Sequence, residues 1–149
     1  MAKTGSGSSG KRGLVLGAIL LLAAGTFGLS RWWDGGSRAA LVDVEVPTLS
    51  RLARKGEVAF EANCASCHGQ NGAGTDKGPP LIYDTYNPGH HDDGAFVRAA
   101  RFGVPQHHWR FGNMPPQPQV TDRELVAIIR YVRELQEANG IFYKPHIMQ

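Results

Sequence analysis

The sequence predicts an all-α domain, residues 50–149, carried behind an N-terminal transmembrane helix. Three observations predict it. Residues 13–30 are an uncharged apolar run, and residues 121–138 carry the start signal and periodicity of an amphipathic helix. The segments 69–94 and 103–120 are rich in glycine and proline and read as loops. With 19 glycines and 9 prolines in 149 residues, a loop-rich domain is expected.

Taken from the N-terminus, residues 1–12 are small and polar and end in Lys11-Arg12. The 18 residues of the apolar run span about 27 Å as a helix, enough for the core of a bilayer. Trp32 and Trp33 follow at the position of a membrane–water boundary, so the anchor is assigned to 13–33. The basic flank favours leaving residues 1–12 in the cytoplasm and the rest of the chain outside. A cleaved signal peptide is the competing reading, because Ala23-Ala24-Gly25 supplies small residues near the end of the run. Residues 34–49 contain Gly35-Gly36-Ser37 and no helical period, and read as a linker.

The charge belongs to the leader. Residues 1–39 hold five basic groups against one acid, whereas residues 40–149 hold 11 basic and 12 acidic groups, within a total net charge of +3. No stripe of lysine and arginine with interleaved aromatics occurs, which argues against a nucleic-acid partner.

Two cysteines make no disulfide framework, so Cys64 and Cys67 read as a site. They lie in FEANCASCHG, residues 60–69, and Cys64-x-x-Cys67-His68 is the attachment signature of c-type haem. Two thiols three positions apart on one helical turn reach the two vinyl groups along one side of a porphyrin. The adjacent imidazole then meets the iron, with its second nitrogen left for an orienting hydrogen bond. Two other uses of the pair stay open at this point. A zinc site would add two histidines to the thiols, and a redox dithiol would need a βαβ setting.

Gly56 and Phe60 stand eight and four residues before Cys64, and Gly78-Pro79-Pro80-Leu81 follows the motif. On these features residues 50–138 resemble the class I c-type cytochromes. The resemblance implies N- and C-terminal helices crossing around one covalent haem c, with an aromatic of the last helix, here Tyr131, meeting Gly56. It also implies a hydrogen bond from the free nitrogen of His68 to the carbonyl of Pro79.

The last helix stands on its own evidence. Thr121-Asp122-Arg123-Glu124 is a capping box, and Leu125, Ile128, Ile129, Val132 and Leu135 then fall on one face. Burying each is worth about 1.5–3 kcal/mol. Asn139-Gly140 ends it. A shorter helix is expected at 95–102, with Phe96, Ala99 and Ala100 turned inward.

The resemblance further implies a methionine as second axial ligand, commonly followed by proline. Met114-Pro115 lies 46 residues after His68, and the other methionines, Met1 and Met148, are at the chain ends. A bis-histidine haem using His107 or His108 is the alternative. Four of the six histidines form two loop pairs, His90-His91 and His107-His108, outside the general class I pattern. They read as loop histidines, as propionate partners, or as a second metal site with Asp92 or Asp93, suited to copper or zinc. Trp109, Phe111 and Tyr83 read as haem-pocket packing, with an indole donor and Arg110 as candidate propionate partners.

The expected function is one-electron transfer between membrane respiratory complexes, from the outer face of a bacterial cytoplasmic membrane. The partners are then a redox donor and acceptor in the membrane or periplasm. No nucleophile–base constellation accompanies the motif, so no hydrolase is expected. The rival readings are a haem enzyme or gas sensor with a weak sixth ligand, and a copper-handling protein using the histidine pairs.

Overall fold

The computed structural model describes residues 41–145. The anticipated anchor and residues 34–40 of the linker lie outside them. Among the described residues no helix is long and apolar enough to cross a membrane.

Helix α1 (Arg51–Asn63) runs into the single turn α2 (Ala65–His68), followed by the 3-10 turn Gln70–Gly72. A second 3-10 turn, Asp84–Tyr86, precedes α3 (Asp93–Phe102) and the long α4 (Asp122–Ala138). Extended pairing among the described residues is limited to one bridge, Val104 with Met114. The domain is therefore all-α, with loops making up the rest.

The ends of the helices follow from local chemistry. Ser50 caps α1, its hydroxyl accepting from Ala53 N at 3.2 Å. Thr121 and Glu124 form the full reciprocal capping box of α4. Helix α3 begins at Asp93, two residues before the expected start, because the Asp92 carboxylate accepts from Ala95 N at 2.6 Å and caps it. Asp93 accepts from Arg133 Nε at 2.9 Å. Neither aspartate joins the group of candidate ligand atoms that the described residues bring together, which is His90, His91 and His108.

Helices α1 and α4 cross where α1 has no side chain. A Cβ built on Gly56 would overlap the carbonyl of Ala127, so the two backbones touch. Tyr131 stands one turn beyond Ala127 on α4, on the side of Phe60. It packs on Phe60, ring centroids 5.6 Å apart, and donates its hydroxyl to Asn71 Oδ1 at 2.8 Å. All five residues of the predicted α4 stripe are buried, together with Ala53, Ala59, Phe60, Leu81, Ile82 and Val120.

Residues 41–49, assigned from sequence to a flexible linker, are docked on this core. Val42 N donates to Ala73 O at 3.0 Å, and Asn139 exchanges two hydrogen bonds with the backbone of Glu45. Val42 and Val44 pack against the core and Leu49 is buried. The alternation Val42-Asp43-Val44-Glu45 gives this stretch an apolar side, a period-2 signal that a search for helical periods overlooks. At the other end Lys144 is fixed over the loop at 84–90. Its N–H donates to Asn87 Oδ1 at 3.3 Å, its ammonium pairs with Asp84, and a Cβ on Gly89 would overlap its carbonyl.

A buried polar knot fastens the loop at 81–91 to α4. Arg133 donates to Tyr86 O (3.1 Å), His91 O (2.6 Å) and Gln136 Oε1 (2.6 Å), besides Asp93. Its guanidinium carbon also lies 4.9 Å from the ring centre of Phe96. Fully buried Gln136 donates in turn to the carbonyls of Leu81 and Tyr86, both at 3.0 Å. The buried charge is tolerable because its donors are met by acceptors.

Glu134 ties the start of α1 to α4, accepting from Ser50 N at 2.9 Å and from Arg130 Nε at 2.6 Å. Burial alone would raise its carboxyl, but these hydrogen bonds outweigh it and hold the group below its ordinary 4.5. A carboxyl depressed in this way stabilises the fold above that ordinary value. The contribution fades as pH falls through the lower folded value. Glu134→Gln is expected to cost roughly 1–3 kcal/mol at neutral pH. The gap from the parent protein should shrink well below pH 4.5, as denaturant unfolding at the two pH values would show.

Candidate cofactor site

A cavity of about 360 Å³ opens between the helices and the two loops. Phe60, Leu81, Leu125 and Ile128 give it an apolar floor, and Cys64, His68 and Met114 all contribute to its wall. The motif reaches the cavity because α1 ends there. Cys64 O accepts from the N–H groups of Cys67 (3.1 Å) and His68 (2.9 Å), winding α2 as one turn. Cys64 is half-buried, whereas Cys67 is exposed and does not line the cavity.

His68 Nδ1 lies 2.9 Å from Pro79 O, the contact that the resemblance implies. Donating Nδ1–H to a carbonyl leaves Nε2 as the ring's lone-pair nitrogen. Burial lowers the His68 pKa, opposed by that same hydrogen bond, so the ring is neutral and fit to bind a metal. Burial also pushes the Cys64 thiol up to about 11, with repulsion from Cys67 and Glu61 adding to it. Dithiol exchange requires thiolate, which burial of Cys64 opposes. The histidines that group as candidate ligands do so without either cysteine.

Met114 is held by backbone. It exchanges two hydrogen bonds of 2.9 Å with Val104, and Gln117 N donates to Ala100 O at 2.7 Å, so the segment is bound to the end of α3. Gly103 makes the approach feasible. Its φ of 74° and ψ of −178° lie in a region open essentially to glycine, and a Cβ there would stand 2.5 Å from Met114 O.

Trp109 and Phe111 line the cavity, and Tyr83 packs edge-on against Trp109 from outside the lining, ring centroids 5.2 Å apart. Trp109 Nε1 is buried without a hydrogen bond of ordinary geometry. The Tyr86 phenol, which burial pushes up to about 12, is eased down by that indole without fully engaging it. A buried donor in a cavity wall without a well-formed bond calls for an acceptor from a bound group. Arg110, by contrast, is exposed and does not line the cavity. Arg98 of α3 does. The inward set Phe96, Ala99 and Ala100 gave no signal for it, since neighbours one or two positions apart on a helix do not share a face.

The two histidine pairs, from loops on either side of α3, converge at one side of the cavity. His91, His107 and His108 line it. His90 Nε2 lies 3.2 Å from His108 Nε2, and the rings of His107 and His108 are 4.3 Å apart. His91 and His108 both have lowered pKa values, through burial first and the neighbouring histidines second.

An apolar cavity with a neutral imidazole, a thioether, a cysteine and an orphan donor in its walls fits haem. The sequence pattern agrees: the family model of cytochrome c matches residues 53–136, more than half of the chain. The chain belongs to the cytochrome c family, in its class I form. It accordingly binds one c-type haem covalently and works in haem-based electron transfer with redox partners. Among solved structures it is similar to cytochrome cL of the marine methylotrophic bacterium Methylophaga aminisulfidivorans MPT. The two are 24% identical, the match covers 68% of this chain and 73% of that one, and the TM-score is 0.42. No curated protein matches.

Gly103→Ala should cost roughly 1–3 kcal/mol, from backbone strain and the clash with Met114 O. Thermal unfolding of the haem-loaded variant beside the parent protein measures it.

Proposed function

We propose that the chain is a single-haem electron carrier with histidine and methionine as axial ligands. Cys64 and Cys67 hold the haem by thioether bonds, His68 and Met114 bind its iron, and Trp109 Nε1 donates to an acidic group at its edge. The observation that carries this reading is the 2.9 Å contact between His68 Nδ1 and Pro79 O in the wall that Met114 also lines. Bound haem supplies reversible one-electron chemistry at its iron.

The protein's own contribution is positional. Pro79 fixes the His68 ring and makes it more electron-rich. The Val104 bridge presents the Met114 thioether, which favours the ferrous state and raises the potential. Phe60, Leu81 and Ile128 keep water from the cavity floor. Tethered by residues 13–33 on the outer face of a bacterial cytoplasmic membrane, the domain would take an electron from a membrane dehydrogenase or complex. An oxidase or reductase would receive it.

Colour that stays with the polypeptide after acid-acetone extraction supports the thioether attachment, and its loss refutes it. In the parent protein, carbon monoxide should bind the reduced haem slowly or hardly at all. Met114→Ala should bind it at once and completely, with a lower reduction potential. Immediate binding by the parent protein would instead support the gas-sensor or enzyme reading. Expressed in a bacterium, the full chain should sediment with membranes and a chain starting at residue 41 behind an exported leader should not.

A further inference from the structure

Two braced loops meet through their imidazoles, at a place the electron-carrier reading leaves unexplained. The first loop is fixed from below. Arg133 holds the carbonyl of His91, Asn87 Oδ1 accepts from the backbone of Gly89 and His90, and His91 N donates to Asn87 O. The second is closed on itself, with Gln106 N donating to Asn113 Oδ1 at 2.9 Å and Gly112 N to Gln106 Oε1 at 2.7 Å. Across the gap, ligand nitrogens of His90, His91 and His108 all lie within 4.8 Å of one another.

We propose that His90, His91 and His108 form a second metal site, for a borderline divalent transition-metal ion, with Cu²⁺ held more tightly than Zn²⁺. The geometry is close to what such an ion requires. Metal–nitrogen bonds of about 2.0–2.1 Å in a tetrahedral site put neighbouring nitrogens about 3.3 Å apart. The two Nε2 atoms of His90 and His108 are already 3.2 Å apart. That contact needs a proton on one of the two nitrogens; an ion placed between them would bind both, the proton moving to Nδ1 of its ring.

His91 is prepared in the way ligand histidines are. Its Nδ1 donates to Thr85 O at 2.8 Å, which fixes the ring and leaves Nε2 with its lone pair. Bringing that ring into the site requires a movement of about 1.5 Å at most, the difference between the present spread and a tetrahedral edge. His107 is a neighbour rather than a member, its Nδ1 engaged with Pro105 O at 2.9 Å. The donor set is all imidazole, since the grouped ligand atoms come from these three histidines and not from Asp92 or Asp93. Such a set selects copper, nickel and zinc over magnesium, calcium or manganese, and copper binds most tightly of these.

The test uses the haem-loaded protein without added histidines, stripped of loose metal and dialysed against Cu²⁺, Zn²⁺ or Mg²⁺ separately. One Cu²⁺ or one Zn²⁺ per chain, no Mg²⁺, and nitrogen splittings from several imidazoles in the Cu²⁺ electron paramagnetic resonance spectrum are expected. His90→Gln and His108→Gln should each weaken binding by more than the about 10–100-fold that loss of an outer partner costs. Their haem absorbance should match the parent's, which shows that the fold is intact. His107→Gln should keep a stoichiometry of one. Absence of binding by the parent protein overturns the proposal, as does binding that persists in His90→Gln and His108→Gln. A changed haem spectrum in His108→Gln would also overturn it, by assigning that ring to the haem iron. The metal stoichiometries do not depend on whether Met114 is an axial ligand, so they are read separately from the carbon monoxide test.

Discussion

The contact between the α1 and α4 backbones at Gly56 and Ala127 fixes everything around it. Because no side chain separates the helices there, their crossing point has almost no freedom. Cys64 and His68 lie about two and three turns further along the same chain direction, and Leu125 and Ile128 flank Ala127 on the other helix. One close approach therefore sets how the attachment turn sits over the cavity floor. Phe60 and Tyr131, packed just beyond the crossing, hold the angle, and Glu134 secures the start of α1.

A single physical cause prepares the two ends of the attachment motif in opposite directions. Removal from water disfavours charge of either sign, so it raises the thiol of Cys64 and lowers the imidazole of His68. Both side chains are neutral as a result. For the imidazole, neutrality is a condition of ligation; for the thiol, it means that disulfide exchange is disfavoured. The wall thus suits a covalent haem better than the disulfides for which the same residue types are also used.

The parts of the fold written in local sequence were legible: the capping box at Thr121, the apolar stripe of α4, the attachment motif and the Gly78–Leu81 segment. What escaped depends on residues far apart in the chain. Arg133 and Gln136 look like the polar side of α4, yet both are buried, because carbonyls from residues 81–91 come to meet them. Asp92 and Asp93 adjoin a histidine pair in the sequence, yet they serve a helix start and a distant arginine and stand outside the histidine group. Arg110 carried the right charge on the wrong side of its loop, while Arg98, placed by a helix, faces the cavity. The convergence of the two histidine pairs has no local signal at all, since it arises from the folding of separate loops.

The segment fixed at Lys144 occupies the space that a side chain at position 89 would need. A side chain at 89 and this path of the C-terminal segment therefore exclude one another. A lineage that acquires even an alanine at 89 must reroute its last residues, and one that loses this C-terminal path releases 89 from selection for glycine. The pair should be inherited and lost together, an imprint of packing on ancestry.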